Sequence, residues 1–254
     1  PHVNDVIQHL VNMNPEKNDF SRFMSQRTSN EWKQDGYILL AVLIGMFGME
    51  RGVDVVSYLL GNKHRSLPIA DKPCEPIFTY QGIEYGTYGF AFLEGKIGTA
   101  DDIRLDVQAN ILPGAAEAIQ NADVAILGPG DVHFSVLPPM LVHGTYEALS
   151  KVRKIILVSN LTARRIDIPG FTLRDFVSFW KERLPENSEC HVVTNSFIGT
   201  NLEESPLKDD ICGDRHAGCF IHRAPVAGVG MSRNRQLLHD EEALGKALKS
   251  LIGS

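Results

Sequence analysis

The chain has 254 residues, of which 43% are hydrophobic and 22% are charged, so it can bury a substantial core, and disorder is not expected. A formal net charge of −6, with lysines and arginines scattered along the sequence, excludes the basic surface typical of nucleic-acid-binding proteins. The length fits one domain, or one domain with an insertion.

The first sixty residues are predicted to be helical. Hydrophobic periodicity and punctuation by Pro15 and Gly52 predict four helices, over residues 5–13, 19–26, 37–49 and 53–60. The third of these is the most apolar part of the chain, but its thirteen residues are fewer than the roughly 20 that a bilayer span requires. We therefore predict a core helix that is almost entirely buried, and no membrane partner.

The pattern changes over residues 65–107, where short apolar runs alternate with glycines and predict a β-rich insertion or lobe. A helix with proline in its first turn is predicted over residues 113–121.

Three short apolar runs follow, at residues 123–127, 154–158 and 191–194. They are separated by the helix-length segments 136–149 and 171–184, which predicts parallel strands joined by crossover helices. The predicted fold is therefore α/β: a Rossmann-like parallel sheet with flanking helices and a small β-rich insertion.

The turn after the first of these strands is the strongest candidate site. Gly128 and Gly130 can adopt positive φ and let the backbone approach a phosphate, while Pro129 stiffens the turn. The helix predicted to follow would aim its free N–H groups at the same point. Asp131 has two interpretations: an N-cap of that helix, or a ligand for a ribose hydroxyl, a sugar hydroxyl or a metal.

The two later strands add further candidates at the same edge. Ligands of parallel α/β sheets bind beyond the carboxyl ends of the strands, so the loops that follow these strands should share one rim. Asn160, Thr162 and Asn195 are the polar candidates there. Each can also be an ordinary turn residue that is bonded to its own backbone.

The cysteines form no CxxC pair, which favours a reducing cytoplasm without a secretory signal; they are Cys74, Cys190, Cys212 and Cys219. Four potential zinc ligands recur every three or four residues near the C-terminus: Cys212, His216, Cys219 and His222. Their spacing matches no standard zinc finger, and neighbouring glycines indicate turns, so we assign no metal there.

Four segments carry a family resemblance that covers nearly the whole chain in order: residues 36–43, 65–71, 113–149 and 154–176. They resemble the superfamily that joins 2-phospho-L-lactate transferase to the bacterial gluconeogenesis factor. The sequences SNLT and PGFTLRDF in the last segment are more similar to the gluconeogenesis-factor branch, whose members bind UDP-sugars, than to the branch that uses a deazaflavin acceptor.

The resemblance implies a nucleotide site at the GPG loop, carried by these positions: Gly128, Pro129, Gly130, Asp131 and Ser135. Two features depart from the family. Its opening strand and glycine-rich turn have no counterpart in this sequence, so we expect that further residues precede Pro1 in the gene product. Without that strand, the sheet should have an unpaired edge beside residues 123–127. In addition, Tyr37 follows Gly36 where the family has asparagine, and a phenol changes what a pocket can recognise.

Three functions follow from this resemblance. The first is a nucleotide-binding protein of the UDP-sugar type, with a role in central carbon or cell-envelope metabolism. The second is a transferase that moves a phospholactyl-type group from a guanylyl-activated donor to a deazaflavin acceptor, chemistry that usually needs Mg²⁺ on the phosphates. The third is a non-catalytic scaffold. The expected partner is a small nucleotide or nucleotide-sugar; the catalytic residues are not identified, and a homo-oligomer is left open.

Overall fold

The computed structural model describes residues 3–13, 18–26, 36–86, 89, 100, 102–162, 171–195, 207–231 and 237–253. The chain divides into two compact units. Unit 1 comprises Pro1–Glu75 and Val107–Ala118, and unit 2 comprises Pro76–Asp106 and Ile119–Ser254.

Unit 1 contains helices α1 (Val3–Asn12), α2 (Asp19–Ser25), α3 (Gly36–Phe47) and α4 (Met49–Leu59). They confirm the four predicted helices, although α4 begins four residues earlier than expected. Side chains from all four helices form one buried cluster: Ile7, Leu10, Met24, Leu40, Val53, Val56 and Leu60. Gly52 lets α4 approach α3 closely, because a Cβ there would lie 2.8 Å from the backbone nitrogen of Ile44.

The prediction that the third helix is almost entirely buried is wrong. Only Gly36 and Leu40 are buried in α3, whereas Ile38 is 72% exposed and Met46 is 67% exposed. The helix is apolar on every side, and such a helix needs neighbours on every side to be buried. Helices α1, α2 and α4 cover one side of α3 only, among the residues that the structure describes. Among the described residues, no helix combines the length and the apolar character needed to cross a bilayer.

Unit 2 begins with a small antiparallel sheet in the order β2-β1-β3, built from β1 (Pro76–Tyr80), β2 (Ile83–Gly86) and β3 (Asp102–Leu105). These strands lie within the predicted β-rich segment, of which residues 87–88, 90–99 and 101 are outside the described part. Phe78 is fully buried and packs edge-on against Phe134. Helix α5 (Pro113–Gln120), within which the chain passes from unit 1 back to unit 2, begins at the predicted proline.

Within the described part of the chain, the main sheet has five strands in the order β4-β5-β6-β8-β7: β4 (Val124–Leu127), β5 (Lys154–Val158), β6 (Glu189–Asn195), β7 (Arg215–His216) and β8 (Cys219–Ala224). Strands β4, β5, β6 and β8 are parallel, and β7 runs antiparallel to β8. The three predicted strands are therefore confirmed as neighbours in one parallel sheet. Strand β4 is an edge strand among the described residues.

Helices cover both faces of this sheet: α6 (Leu137–Met140), α7 (Thr145–Leu149), α8 (Leu173–Lys181) and α9 (Glu241–Ile252). On one face Ile155 and Leu157 of β5 pack with Trp180 of α8, and on the other Ile156 packs with Leu251 of α9. The chain between β8 and α9 forms a hairpin of β9 (Ala227–Met231) and β10 (Leu237–His239). This is the predicted α/β fold.

The continuous helix predicted over residues 136–149 is wrong. The chain forms a π-helical turn over Val132–Val136, then α6, then α7 after Gly144, whose φ is +93°. Pro138 and Pro139 lack the N–H groups that a regular α-helix through this region would require, so they are tolerated only in a first turn.

A disulfide joins Cys190 and Cys219, which lie side by side on β6 and β8 with their Cα atoms 4.6 Å apart. Cys74 and Cys212 take no part in a disulfide. The bond was not predicted, because no CxxC spacing or other local pattern connects two cysteines 29 residues apart. It also removes Cys219 from the considered zinc ligands. The described residues contain no group of three His, Cys, Asp or Glu side chains that could hold a metal ion.

Candidate functional site

The loop after β4 lies directly against the end of β5. Gly128 has a φ of +86°, and a Cβ at this position would lie 2.9 Å from the carbonyl oxygen of Val158. The peptide bond between Gly128 and Pro129 is cis. Gly130 does not have the positive φ that the sequence suggested. Its lack of a side chain instead leaves room beside Val136, whose Cγ2 would be 3.1 Å from an added Cβ.

Asp131 caps the turn that follows. Its Oδ1 accepts hydrogen bonds from the backbone N–H groups of His133 at 3.1 Å and Phe134 at 2.9 Å, and the residue is only 8% exposed. The N-cap interpretation is thereby confirmed. Two of the N–H groups expected to face a phosphate are bonded to this carboxylate instead. Ser135 is exposed, and its N–H donates to the carbonyl of Asp131 at 3.0 Å.

The ends of β5 and β6 are joined by side chains. The hydroxyl of Ser159 donates to that of Thr194 at 3.0 Å, and both residues are buried. Just beyond them, Asn160 is half-buried and Thr162 is buried. The structure therefore brings the β4 and β5 loops together at one edge, as the parallel topology requires.

Asn195 has a structural task at the end of β6. Its Oδ1 accepts hydrogen bonds from the N–H groups of Val226 and Ala227, both at 3.0 Å. This amide therefore anchors the start of the β9–β10 hairpin at the carboxyl edge of the sheet.

Two histidines at this edge were not among the predicted site residues. His133 follows the GPGD turn; it is 3% exposed, and its Nδ1 has no hydrogen-bond partner within the described chain. His239, on β10, donates a hydrogen bond to the backbone carbonyl of Ser159. No local sequence signal marks His239, because only the hairpin brings it to a loop far away in the chain.

The two histidines at this edge of the sheet, His133 and His239, are neutral at pH 7. Burial lowers the pKa of His133 and also that of His239. Asp131 is the carboxylate of the GPGD loop, and its Oδ1 is already bonded to two amides. The described rim thus provides no cluster of carboxylates that could hold Mg²⁺.

A cavity of about 510 Å³ lies elsewhere, between β8 and α9. Its polar lining includes Asp214, His222, Arg223 and Ser250. None of the eight predicted site residues lines it.

Stability is expected to decrease as the pH falls below about 6.5, the ordinary pKa of histidine. Burial lowers the pKa of His133, His222 and His239 in the folded protein, so acid protonates these groups in the unfolded chain first and favours unfolding. Urea denaturation between pH 7.5 and 5 measures this loss. The carboxylates with lowered pKa, Asp71 and Asp210, titrate below this range. A stability independent of pH over that interval would contradict the burial of these imidazoles.

A parallel sheet with helices on both faces and a glycine loop at its carboxyl edge defines a Rossmann-like α/β protein. Residues 1–211 match the family 2-phospho-L-lactate transferase CofD, and the chain belongs to this family.

Several relatives are similar to this chain. It is 27% identical over 201 residues to a putative gluconeogenesis factor of Thermotoga maritima, which covers 77% of this chain and 63% of that protein. It is 30% identical over 219 residues to the gluconeogenesis factor of Halalkalibacterium halodurans, covering 82% and 65% respectively. A 2-phospho-L-lactate transferase of Methanothermobacter thermautotrophicus is 27% identical over 124 residues, covering 49% and 40%. The chain thus spans less than two thirds of the length of these relatives.

A solved structure shares the fold. The crystal structure of protein BH3568 from Bacillus halodurans superimposes with a TM-score of 0.81 at 18% sequence identity, covering 96% of this chain and 82% of that one. A second crystal structure of that protein, described as a member of the UPF0052 family, gives the same TM-score at 20% identity.

Proposed function

We propose that this chain binds a nucleotide-sugar of the UDP type at the carboxyl edge of its parallel sheet. The protein would act in the cytoplasm, in central carbon or cell-envelope metabolism, on a small-molecule partner. The contact of Gly128 with the Val158 carbonyl is the observation that supports the proposal most strongly, because it places a glycine loop beside the ends of two parallel strands.

The chemistry of the rim is suited to a polar, uncharged recognition of sugar and ribose groups. Its predicted contacts are backbone amides and the side chains of Asn160 and Thr162, and the chain carries no net positive charge to attract phosphates over a distance. An anionic diphosphate would therefore depend on the backbone of the Gly128 to Asp131 loop for its contacts.

A transferase is the second candidate, and it rests on the family name and on the relative described as a 2-phospho-L-lactate transferase. The two candidates differ in turnover. Incubation with a guanylyl-activated phospholactate and a deazaflavin acceptor should release GMP if this chain is a transferase. Binding of UDP-glucose without GMP release supports the first candidate.

Gly130→Val is expected to weaken UDP-glucose binding at least tenfold, and to lower stability only slightly. A valine Cβ would lie 3.1 Å from Val136 Cγ2, a side-chain atom that can move by a small distance. Fitting the β-branched side chain there should displace the loop backbone, whose amides would contact a phosphate. Isothermal titration with UDP-glucose and with GDP measures the affinity. Ligand-induced thermal stabilisation, which grows as RT ln(1 + [L]/Kd), provides a second measurement.

Gly86→Val is the matched control, because a Cβ at Gly86 in β2 meets nothing within 4 Å. It should leave the affinity unchanged. If Gly130→Val binds both nucleotides as the parent does, the ligand does not occupy the GPGD loop.

A further inference from the structure

His239 is held firmly at the candidate site by the β9–β10 hairpin. It pairs with Ala227, whose N–H is bonded to Oδ1 of Asn195, and the N–H of the next residue, Asp240, donates to the carbonyl of Val226 at 2.8 Å. One ring nitrogen of His239 is bonded to the carbonyl of Ser159. The imidazole therefore joins the β9–β10 hairpin to the loop that follows β5.

The hydrogen bonding fixes the tautomer of this ring. A carbonyl oxygen can only accept, so the nitrogen that faces Ser159 carries the hydrogen. Nε2 is buried and has no hydrogen-bond partner among the residues that the structure describes, so the nitrogen bonded to Ser159 is Nδ1. A neutral imidazole with its hydrogen on Nδ1 leaves a lone pair on Nε2. Burial, which lowers the pKa of His239, keeps the ring in this neutral form.

A buried acceptor without a donor is costly, and folded proteins rarely leave one unless a ligand or a water molecule completes it. A phosphate oxygen cannot do so, because it is itself an acceptor at neutral pH. A hydroxyl group can donate to the lone pair, and both the ribose and the hexose of a nucleotide-sugar carry hydroxyls.

We propose that Nε2 of His239 accepts a hydrogen bond from a hydroxyl of the nucleotide ligand and so determines which ligands the site takes. The proposal rests on the nucleotide-binding function above, and it adds the contact that selects for a sugar hydroxyl. In this proposal, His239 accepts the hydrogen bond of the hydroxyl, and the backbone of the loop at Gly128 binds the phosphates.

Two substitutions distinguish the contribution of Nε2 to ligand binding from that of Nδ1. In His239→Asn, the side-chain amide NH₂ can replace Nδ1 and keep the bond to Ser159, but no atom stands at the position of Nε2. His239→Gln instead extends an amide to the position of Nε2. We expect His239→Asn to lose about tenfold in affinity for UDP-glucose, the value of one hydrogen bond. We expect His239→Gln to remain within about threefold of the parent. Thermal unfolding of both variants confirms that they are folded.

The source of the hydroxyl is found by changing the probe. If the hexose supplies it, UDP should bind the parent and His239→Asn equally. If the ribose supplies it, UDP should also bind His239→Asn more weakly, and 2′-deoxy-UDP or 3′-deoxy-UDP should bind both proteins alike. Either pattern supports the proposal.

Equal UDP-glucose affinity in the parent and in His239→Asn would overturn this inference and leave the nucleotide site intact. A parent protein that binds none of UDP-glucose, UDP and GDP would overturn the proposed function, and this inference with it. The ring can also be examined without a ligand, because ¹⁵N NMR distinguishes a protonated nitrogen from a bare one. A hydrogen on Nε2 at pH 7.5 would refute the assignment of His239 alone.

Discussion

Gly128→Ala is expected to lower the free energy of unfolding by about 2–4 kcal/mol and to abolish nucleotide binding. A φ of +86° is unfavourable for any residue with a Cβ. The added methyl would also lie 2.9 Å from the Val158 carbonyl oxygen, a backbone atom in a buried strand that cannot move aside as a flexible side chain can. The loop must therefore lift away from β5, which removes the surface on which a diphosphate would rest.

Gly213→Ala distinguishes the backbone strain of a positive φ from the steric clash with the Val158 carbonyl oxygen. Its φ of +84° is nearly the same, but a Cβ there meets nothing within 4 Å. We expect this control to lose about 1–2 kcal/mol from backbone strain alone, and to bind nucleotides as the parent does. Urea denaturation of both variants gives the difference. If the two substitutions cost the same, the contact between the GPGD loop and Val158 is not tight in solution.

Leu40→Ala is expected to destabilise the protein by about 2–5 kcal/mol, because it leaves a cavity in the core of unit 1. Leu40 is fully buried among Ile7, Met24 and Val53. The protein should unfold at a lower temperature and at a lower urea concentration than the parent.

Ile38→Ala is the matched control on the same helix. Ile38 is 72% exposed, so its truncation should change stability by no more than about 0.5 kcal/mol. A cost for Ile38→Ala as large as that for Leu40→Ala would show that this side of α3 is covered in solution. A dependence of that cost on protein concentration would identify the cover as a second copy of the chain.

The strands of the main sheet could be predicted because their signal is local. Residues 155–158 form an uninterrupted apolar run after Lys154, and all five residues of β5 are buried. A fully buried strand in a parallel sheet requires apolar side chains on both faces, so its sequence alone distinguishes it from an exposed strand. The GPGD turn was predictable for the same reason, because a backbone position of positive φ favours glycine and the sequence shows that glycine directly.

The helix after that turn shows where local patterns fail. The apolar residues of 136–149 fit a helical period, but Pro138, Pro139 and Gly144 divide the segment into short turns. The period indicates which residues face the core, and it does not guarantee that the backbone hydrogen bonds run on without a break.

The candidate site was predicted in part. The sequence indicated Gly128, Asn160, Thr162 and Asn195, and the parallel topology indicated that their loops share one edge. It did not indicate that Asn195 anchors the hairpin or that His239 reaches Ser159. Both contacts join residues distant in the chain, and no spacing rule connects them.

The sequence by itself determined the α/β class, the parallel strands and the place of the glycine loop, because each depends on composition or on spacing within a short window. Only the tertiary structure decided which side of α3 is covered, that Cys190 lies beside Cys219, and that His239 lies at the rim. These features depend on which distant segments pack together. That packing depends on many contacts between segments distant in the sequence, so the residues of any one segment do not determine it.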